Sequence, residues 1–267
     1  MQLKLRKFDP NTIKDTSICV IIGKRNTGKS VLAKDIMFHK RHLPAGMVMS
    51  ATEEGNSFYG SWVPDSFIYG DFDRGVIENL IDTQRRRIKT GTATNVFLIL
   101  DDCMYDKRLL KEKCMRSLFM NGRHWKIFLM LTAQYCGDLG PDIRSNIDYV
   151  FILRDNIPQN RERLFKNFFG LMPSFSCFCQ LMDATTENYE CLVVDNTSRS
   201  NNLEDCLFWY KARPEHSFRM GSPAFWRFHQ STYNPNFDDP RHRDPSKASS
   251  SAVADKRKPR LNVMKLR

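Results

Sequence analysis

The sequence lacks any apolar run that approaches the ~20 residues needed by a transmembrane helix, so we expect no membrane-spanning segment. It also lacks an opening in which basic residues precede an apolar stretch, which argues against a secretory signal. Its eight cysteines show no paired metal-binding spacing, and no internal repeat is visible. These absences favour a protein with free thiols in a reducing compartment.

Acidic residues are too few to balance the basic ones, which leaves a formal charge of +11. Residues 241–267 contain nine basic and two acidic residues and therefore carry +7 of that charge. Because this stretch is rich in Pro, Ser and Ala and has no hydrophobic periodicity, we expect residues 238–267 to form a basic, disordered tail. Such a tail is either a solvated extension or an arm that binds phosphate or directs localisation.

One phosphate-binding motif stands out against this background. The pattern G-x-x-x-x-G-K-[ST] directly follows the apolar run 18–22, and apolar residues at helical spacing follow it. Glycines let the main chain turn so that backbone N–H groups and a helix N-terminus face a phosphate chain. We therefore expect ATP and Mg²⁺ as cofactors, bound by Gly23, Lys24, Arg25, Asn26, Thr27, Gly28, Lys29 and Ser30.

Apolar runs of strand length alternate with helical patterns, which predicts a mainly parallel sheet flanked by helices. The strands are expected at 18–22, 47–50, 96–100, 127–132 and 148–153, with a short edge element at 67–69. Asp73 is expected to cap a helix to Ile88, Asp106 to begin another, and Asn156 and Pro158 to open a third. Segments 189–195 and 206–211 read as two further strands, paired antiparallel at the sheet edge.

Two acids end the apolar run 96–100. Asp101 stands where a Walker-B carboxylate binds Mg²⁺, together with the Ser30 hydroxyl, and Asp102 can polarise the attacking water. The alternative is that one of them caps a helix, but Asp106 serves that role better.

Three more polar residues are candidates for the site, and two of them flank the strand 127–132. Gln134 follows it, and its amide can donate and accept hydrogen bonds at a γ-phosphate or its water. Arg123 and Arg144 are candidates for an arginine finger, and a structural role is the alternative for each. A finger that acts in trans requires a head-to-tail ring of subunits.

Taken together, four stretches resemble the genome-packaging ATPases of large nucleocytoplasmic DNA viruses, which belong to the FtsK/HerA group. They are residues 23–30, 98–102, 122–124 with 131–134, and 143–146. The likeness covers about residues 15–155. It implies an additional-strand (ASCE) P-loop ATPase, a ring of subunits, and ATP-driven movement of double-stranded DNA into a preformed viral shell.

The resemblance also assigns roles by position. Lys29 and Ser30 match the phosphate and magnesium residues, Asp101 and Asp102 the Walker-B pair, and Gln134 the sensor; Arg123 is the first choice for the finger and Arg144 the second. Asp102 stands where many members of the group carry Glu, so its shorter side chain must reach the water from slightly farther back. The implied domain is 1–237, with a motif core at 15–155 and an extension of the sheet at 156–237.

The implied partners are double-stranded DNA, further copies of the chain, and capsid or inner-membrane virion proteins, at assembly sites in the host cytoplasm or in the virion. Two other functions remain open: a DNA helicase or recombination ATPase of the same group, and a nucleotide-regulated assembly protein with little turnover. A GTPase switch is disfavoured because no N-K-x-D motif is present. A basic cluster at Lys107, Arg108, Lys111 and Lys113 either solvates the surface or contacts DNA.

Overall fold

A computed structural model describes residues 3–103 and 108–234 of the chain, without the side chains of Glu54, Asn56 and Asp138. The expected tail 238–267 lies outside the described residues, as do the expected helix start at Asp106 and the cluster residue Lys107. In the described part of the chain every helix is too short or too polar to cross a membrane.

The described residues form one nine-stranded sheet in the order β1-β9-β8-β7-β2-β6-β5-β3-β4. Only β8 in this sheet runs against the others, because it pairs antiparallel with both of its neighbours. The strands are β1 Arg6–Lys7, β2 Ile18–Ile22, β3 Gly46–Ser50, β4 Ile68–Tyr69, β5 Val96–Asp101, β6 Ile127–Ala133, β7 Tyr149–Ile152, β8 Glu190–Asp195 and β9 Leu207–Lys211.

Helices cover the two faces of the sheet, and short 3₁₀ turns connect several elements. The α-helices are α1 Lys29–Phe38, α2 Glu53–Asn56, α3 Arg74–Lys89, α4 Lys113–Asn121, α5 Pro141–Arg144, α6 Pro158–Phe168, α7 Phe175–Thr185, α8 Leu203–Cys206 and α9 Pro223–Thr232. Every residue of β2, β5 and β6 is buried, as a strand covered on both faces requires. The predicted α/β P-loop fold is therefore confirmed, and β6 is the additional strand between β2 and β5.

The C-terminal part of the sheet also follows the prediction. β8 and β9 pair antiparallel and extend the sheet beyond β7, and β4 forms the opposite edge. The helix expected from Asp106 is described only from Lys113, after a 3₁₀ turn at Leu109–Lys111. Six of the described strands and α-helices were not anticipated: the two-residue β1, the longer helices α7 and α9, and the four-residue helices α2, α5 and α8. Helix α7 carries a readable signal, since the Ser174 hydroxyl accepts from Cys177 N and caps its start.

All eight cysteines lie within the described residues and are free thiols, as the sequence predicts. Cys19 in β2 and Cys191 in β8 are fully buried, and burial raises the pKa of both thiols well above its usual value. Burial also raises the pKa of Cys103, just after β5, to about 12. These thiols remain protonated at neutral pH and are therefore poor nucleophiles.

Candidate active site

The phosphate-binding loop lies between the carboxyl end of β2 and the start of α1. Gly28 adopts φ +96 as the residue before the helix, and no side chain caps the helix there. The N–H groups of the first helical turn have no partner within a helix, so this start remains available to an anion. Gly23 must lack a side chain, because a Cβ would lie 2.6 Å from the Thr27 hydroxyl and 2.9 Å from Leu153.

The other loop residues differ in how they are held. Thr27 donates its hydroxyl to the Lys24 carbonyl at 2.7 Å. The Lys24 ammonium lies 3.0 Å from Asp155, just beyond β7, which ties the loop to that strand. Arg25 and Asn26 are exposed, and Asn26 has φ +61.

Lys29, Ser30 and the acids after β5 come together as the sequence predicts. The Lys29 ammonium is buried, lies 3.2 Å from the Lys24 carbonyl and is 3.7 Å from Asp102 Oδ1. The Ser30 hydroxyl donates to Asp101 Oδ2 at 3.1 Å. A hydroxyl and a carboxylate in contact are oxygen ligands of the kind that Mg²⁺ prefers, so this pair fits a magnesium ion.

Thr132 on β6 holds the two acids in place, and sequence reasoning missed it. Its hydroxyl donates to Asp101 Oδ1 at 2.7 Å and accepts from the Asp102 backbone N–H at 3.0 Å. Asp102 adopts φ +49, a left-handed conformation that Asp tolerates better than most residues. The additional strand thus fixes both the metal-binding acid and the turn that aims Asp102 toward Lys29.

The site concentrates negative charge on its β3 side. The Tyr59 hydroxyl is buried there, and burial together with the charges of Asp101 and Glu53 raises its pKa well above the usual value. Glu53 itself accepts hydrogen bonds from the Tyr59 and Gly60 backbone N–H groups at 2.9 and 2.8 Å. Its carboxylate is therefore engaged in holding the loop after β3.

Gln134 follows β6 immediately, at the edge of the sheet where the phosphate-binding loop begins. The register pairs Ile22 with Ala133, and the Gly23 N–H donates to the Ala133 carbonyl at 3.0 Å. Gln134 and Asp155 line one small crevice beside this edge. The backbone at Gln134 is thus next to the start of the loop, and the sensor role of its side chain stays a prediction.

Each of the two arginines is held by a backbone carbonyl. Arg123 precedes β6 and therefore lies at the amino ends of the parallel strands, away from their carboxyl ends. There it donates to the Asn146 carbonyl at 3.2 Å and lies 3.5 Å from Asp148. Arg144 ends α5 and donates to the Leu139 carbonyl. Among the described residues no hydrogen bond or ion pair joins either arginine to Lys29, Asp101 or Asp102, and a finger role stays a prediction.

A second residue that the sequence analysis missed covers the loop from the β8 side. Tyr189 is 71% exposed, and its ring lies 3.5 Å from where a Cβ on Gly28 would be. It follows Asn188, and both adopt positive φ, at +63 and +50 respectively. Together with Asn26, Thr27 and Arg154 they line a cleft of about 270 Å³. Since Tyr189 lies 161 residues from Gly28, no local pattern reveals this contact.

The sequence relatives of the chain come from viruses, and no protein-family model matches it. An uncharacterized protein of Acanthamoeba polyphaga mimivirus is 35% identical over 252 residues, which cover 91% of this chain and 88% of that protein. One from Frog virus 3 is 35% identical over 240 residues, 85% of this chain and 73% of that protein. One from Invertebrate iridescent virus 3 is 37% identical over 206 residues, 77% and 78% of the two chains.

Several solved structures share the fold. The genome packaging NTPase B204 of Sulfolobus turreted icosahedral virus 2, in complex with AMPPCP, aligns with a TM-score of 0.53 at 16% identity over 75% of this chain and all of that one. The pCW3 conjugation coupling protein TcpA gives 0.51 at 14% identity over 74% and 60% of the two chains. EssC from Geobacillus thermodenitrificans gives 0.51 at 12% identity over 83% and 46%. The likeness confirms the fold expected from the resemblance.

Proposed function

The chain belongs to a viral protein family with members in Acanthamoeba polyphaga mimivirus and Frog virus 3, and from that premise we propose that it is an ATP-hydrolysing motor that moves double-stranded DNA into a preformed capsid. The observation that carries the ATPase proposal is the meeting of Lys29, Ser30 and Asp101 at one edge of the sheet. The fold shared with a viral genome packaging NTPase supports the choice of packaging.

Each residue has a chemical task in this proposal. Lys29 neutralises the β- and γ-phosphates, while Ser30 and Asp101 hold Mg²⁺, which when bound offsets the charge that develops on the phosphates. Asp102, 21% exposed at its side chain, accepts a proton from the attacking water. Gln134 orients that water from the neighbouring strand end.

The nucleotide base needs a surface of its own. The exposed ring of Tyr189, beside Gly28, provides a flat apolar face against which adenine can stack. Asn188 and Arg154 at the same cleft supply polar groups at its rim. In this proposal the base lies on the β8 side of the phosphate-binding loop.

The motor works as a head-to-tail ring in which Arg123, or Arg144, completes the site of the next subunit. An arginine finger that acts in trans must lie far from the nucleotide of its own subunit. Arg123 meets that requirement because it lies at the amino ends of the parallel strands, while the phosphate-binding loop lies at their carboxyl ends. Residues 1–237 form the ATPase domain and residues 238–267 its basic tail. The ring acts at assembly sites in the host cytoplasm with capsid or inner-membrane virion proteins.

The first test measures ATP hydrolysis by the full chain with and without double-stranded DNA. DNA-stimulated turnover should fall about 10²- to 10³-fold in Lys29→Ala. Lys34→Ala, which removes a charge from the same helix, is the matched control and should retain it. Turnover that persists in Lys29→Ala would refute the site.

A second measurement separates the proposal from its alternatives. A packaging motor should displace a third strand from duplex DNA in an ATP-dependent manner without separating the strands of a forked duplex. Strand separation would instead indicate a helicase or recombination ATPase. ATP binding without turnover, in the presence of DNA, would indicate an assembly protein.

A further inference from the structure

A cluster of two histidines and an aspartate lies at the end of α1 that faces away from the phosphate-binding loop. Asp35 and His39 are four residues apart and therefore share one face of the helix, while His216 comes from the segment between β9 and α9. One ligand atom from each residue lies within 4.8 Å of the other two. Two ligands at this helical spacing, joined by a distant third, form a common metal-binding arrangement.

Asp35 is the least explained member of this cluster. The residue is fully buried, and the Tyr210 hydroxyl donates to one of its oxygens, Oδ2. The other oxygen, Oδ1, has no hydrogen-bond partner among the described residues. A buried carboxylate oxygen without a partner is costly, so an ion or another group is expected to satisfy it.

His216 faces this oxygen in a geometry that fits shared coordination better than a hydrogen bond. Its Nε2 lies 3.0 Å from Asp35 Oδ1, yet neither atom has a hydrogen-bond partner within the described residues. Two ligands about 2.0–2.2 Å from one zinc ion are themselves separated by roughly 3 Å or slightly more. The His216 ring is held in this position by stacking on Phe38, with ring centroids 3.8 Å apart and planes 3° from parallel.

His39 is oriented by a second residue in the way that metal ligands usually are. The Asn11 amide nitrogen donates to Asp9 at 2.8 Å, which leaves the Asn11 amide oxygen facing His39 Nδ1 at 3.0 Å. Because that oxygen only accepts, Nδ1 carries the proton and Nε2 has the free lone pair. An outer partner that fixes the tautomer in this manner is typical of a ligating histidine.

We propose that Asp35, His39 and His216 bind one zinc ion, which fastens the segment between β9 and α9 to the far end of α1. Two imidazoles and one carboxylate suit zinc better than magnesium, which prefers oxygen ligands. Three protein ligands leave the fourth tetrahedral position to water. The site is separate from the proposed nucleotide site, since the ten residues of α1 span about 15 Å.

The test uses the full chain, stripped with a chelator and titrated with Zn²⁺ or Co²⁺ in the absence of nucleotide. We expect one metal ion per chain by elemental analysis and a visible Co²⁺ spectrum without the thiolate charge-transfer band. Zinc should also raise the temperature of unfolding. His216→Ala, at a partly exposed position, should lose at least about 100-fold in affinity, and Asn11→Ala about 10-fold.

His42→Ala is the matched control, because His42 lies past the same helix end but contacts Asp15 instead. It should bind zinc as the unaltered chain does. Far-ultraviolet circular dichroism of each stripped variant confirms that it is folded. Equal zinc binding by His216→Ala and the unaltered chain would place the metal elsewhere, on thiols for example, and overturn the proposal. Absence of zinc binding by the unaltered chain would overturn it as well.

Discussion

The two ends of helix α1 present opposite chemistries. Its start, at Lys29 and Ser30, offers backbone N–H groups and a buried ammonium, whereas its end, at Asp35 and His39, offers a buried carboxylate and an imidazole. The aligned peptide dipoles leave a partial positive charge at a helix start and a partial negative charge at its end. The first end therefore suits an anion and the second a cation.

The difference also lies in how each end is completed. At the start, the partners are Asp101, Asp102 and Thr132, at the ends of two parallel strands that the sheet itself aligns. At the far end, the partner His216 comes from a stretch without regular secondary structure. The sheet holds the residues of the nucleotide site in place, whereas the proposed zinc site would itself order the segment between β9 and α9. Four predictions test this contrast.

The largest expected effect is on turnover at the helix start. Asp102→Asn should reduce ATP hydrolysis by about 10²- to 10³-fold, because the amide cannot accept the water proton. Asn tolerates the φ of +49 at this position, so the turn should be preserved. Binding of ATP, measured by fluorescence of a labelled analogue, should persist. Turnover within twofold of the unaltered chain would assign the base to another residue.

The next effect concerns nucleotide affinity at the same end. Tyr189→Ala should weaken ATP and ADP binding by about 10- to 100-fold if the ring stacks on adenine. Tyr189→Phe keeps the ring and should bind both normally. Isothermal titration measures the difference. If the alanine variant binds as tightly as the phenylalanine variant, the ring merely packs over Gly28.

A smaller effect is expected at the far end. Tyr210→Phe removes the hydroxyl that donates to Asp35 Oδ2, and it should weaken zinc binding by about 10-fold. The stripped protein should also lose about 1–3 kcal/mol of stability, since a buried carboxylate oxygen is left unsatisfied. Zinc titration and urea unfolding report the two quantities. An unchanged zinc affinity would remove Tyr210 from the site's support.

The smallest effect concerns Asp15, which lies beside the end of α1. Desolvation raises its pKa, but hydrogen bonds from His42 and Lys40 outweigh that and lower the pKa below its usual value. The resulting stabilisation is present above the unfolded pKa of about 3.9 and is lost as the pH falls through the lower folded value. Because the Asp15 side chain is partly exposed to solvent, which screens its ion pairs, this contribution should stay below about 1 kcal/mol.

Urea unfolding from pH 6 to pH 3 checks this expectation. The stability of the unaltered chain should decline more steeply than that of Asp15→Asn, and the two curves should approach each other at the acid end. Parallel curves over the whole range would show that Asp15 makes no pH-dependent contribution.

Much of the fold could be predicted because local patterns determine it. Continuous apolar runs mark strands buried on both faces, and β2, β5 and β6 are such strands. The two residues of β1 are exposed and owe their strand geometry to pairing with β9, which no local pattern encodes. Helix α7 could have been found from its Ser174 cap and its apolar spacing.

The candidate site divides in the same way. Lys29 and Ser30 belong to a contiguous motif, and Asp101 and Asp102 end an apolar run, so spacing alone predicts their chemistry. Thr132, Tyr189 and His216 acquire their positions only when distant segments meet. Thr132 still had a signal, since it ends a predicted strand next to the Walker-B strand. Tyr189 opens the predicted strand 189–195, but nothing in that pattern relates it to the phosphate-binding loop, and His216 lies outside any periodic element.

The buried thiols make it possible to measure separately how fast the parallel part of the sheet and the antiparallel strand β8 open. Cys19 lies in the parallel part and Cys191 in the antiparallel strand β8, and both are sealed from solvent. An alkylating reagent reaches each thiol only when the strand that carries it detaches from the sheet. Peptide masses recorded over time therefore give a separate alkylation rate for each of the two strands. If nucleotide slows the alkylation of Cys19 and zinc slows that of Cys191, each ligand controls the opening of a different part of the sheet.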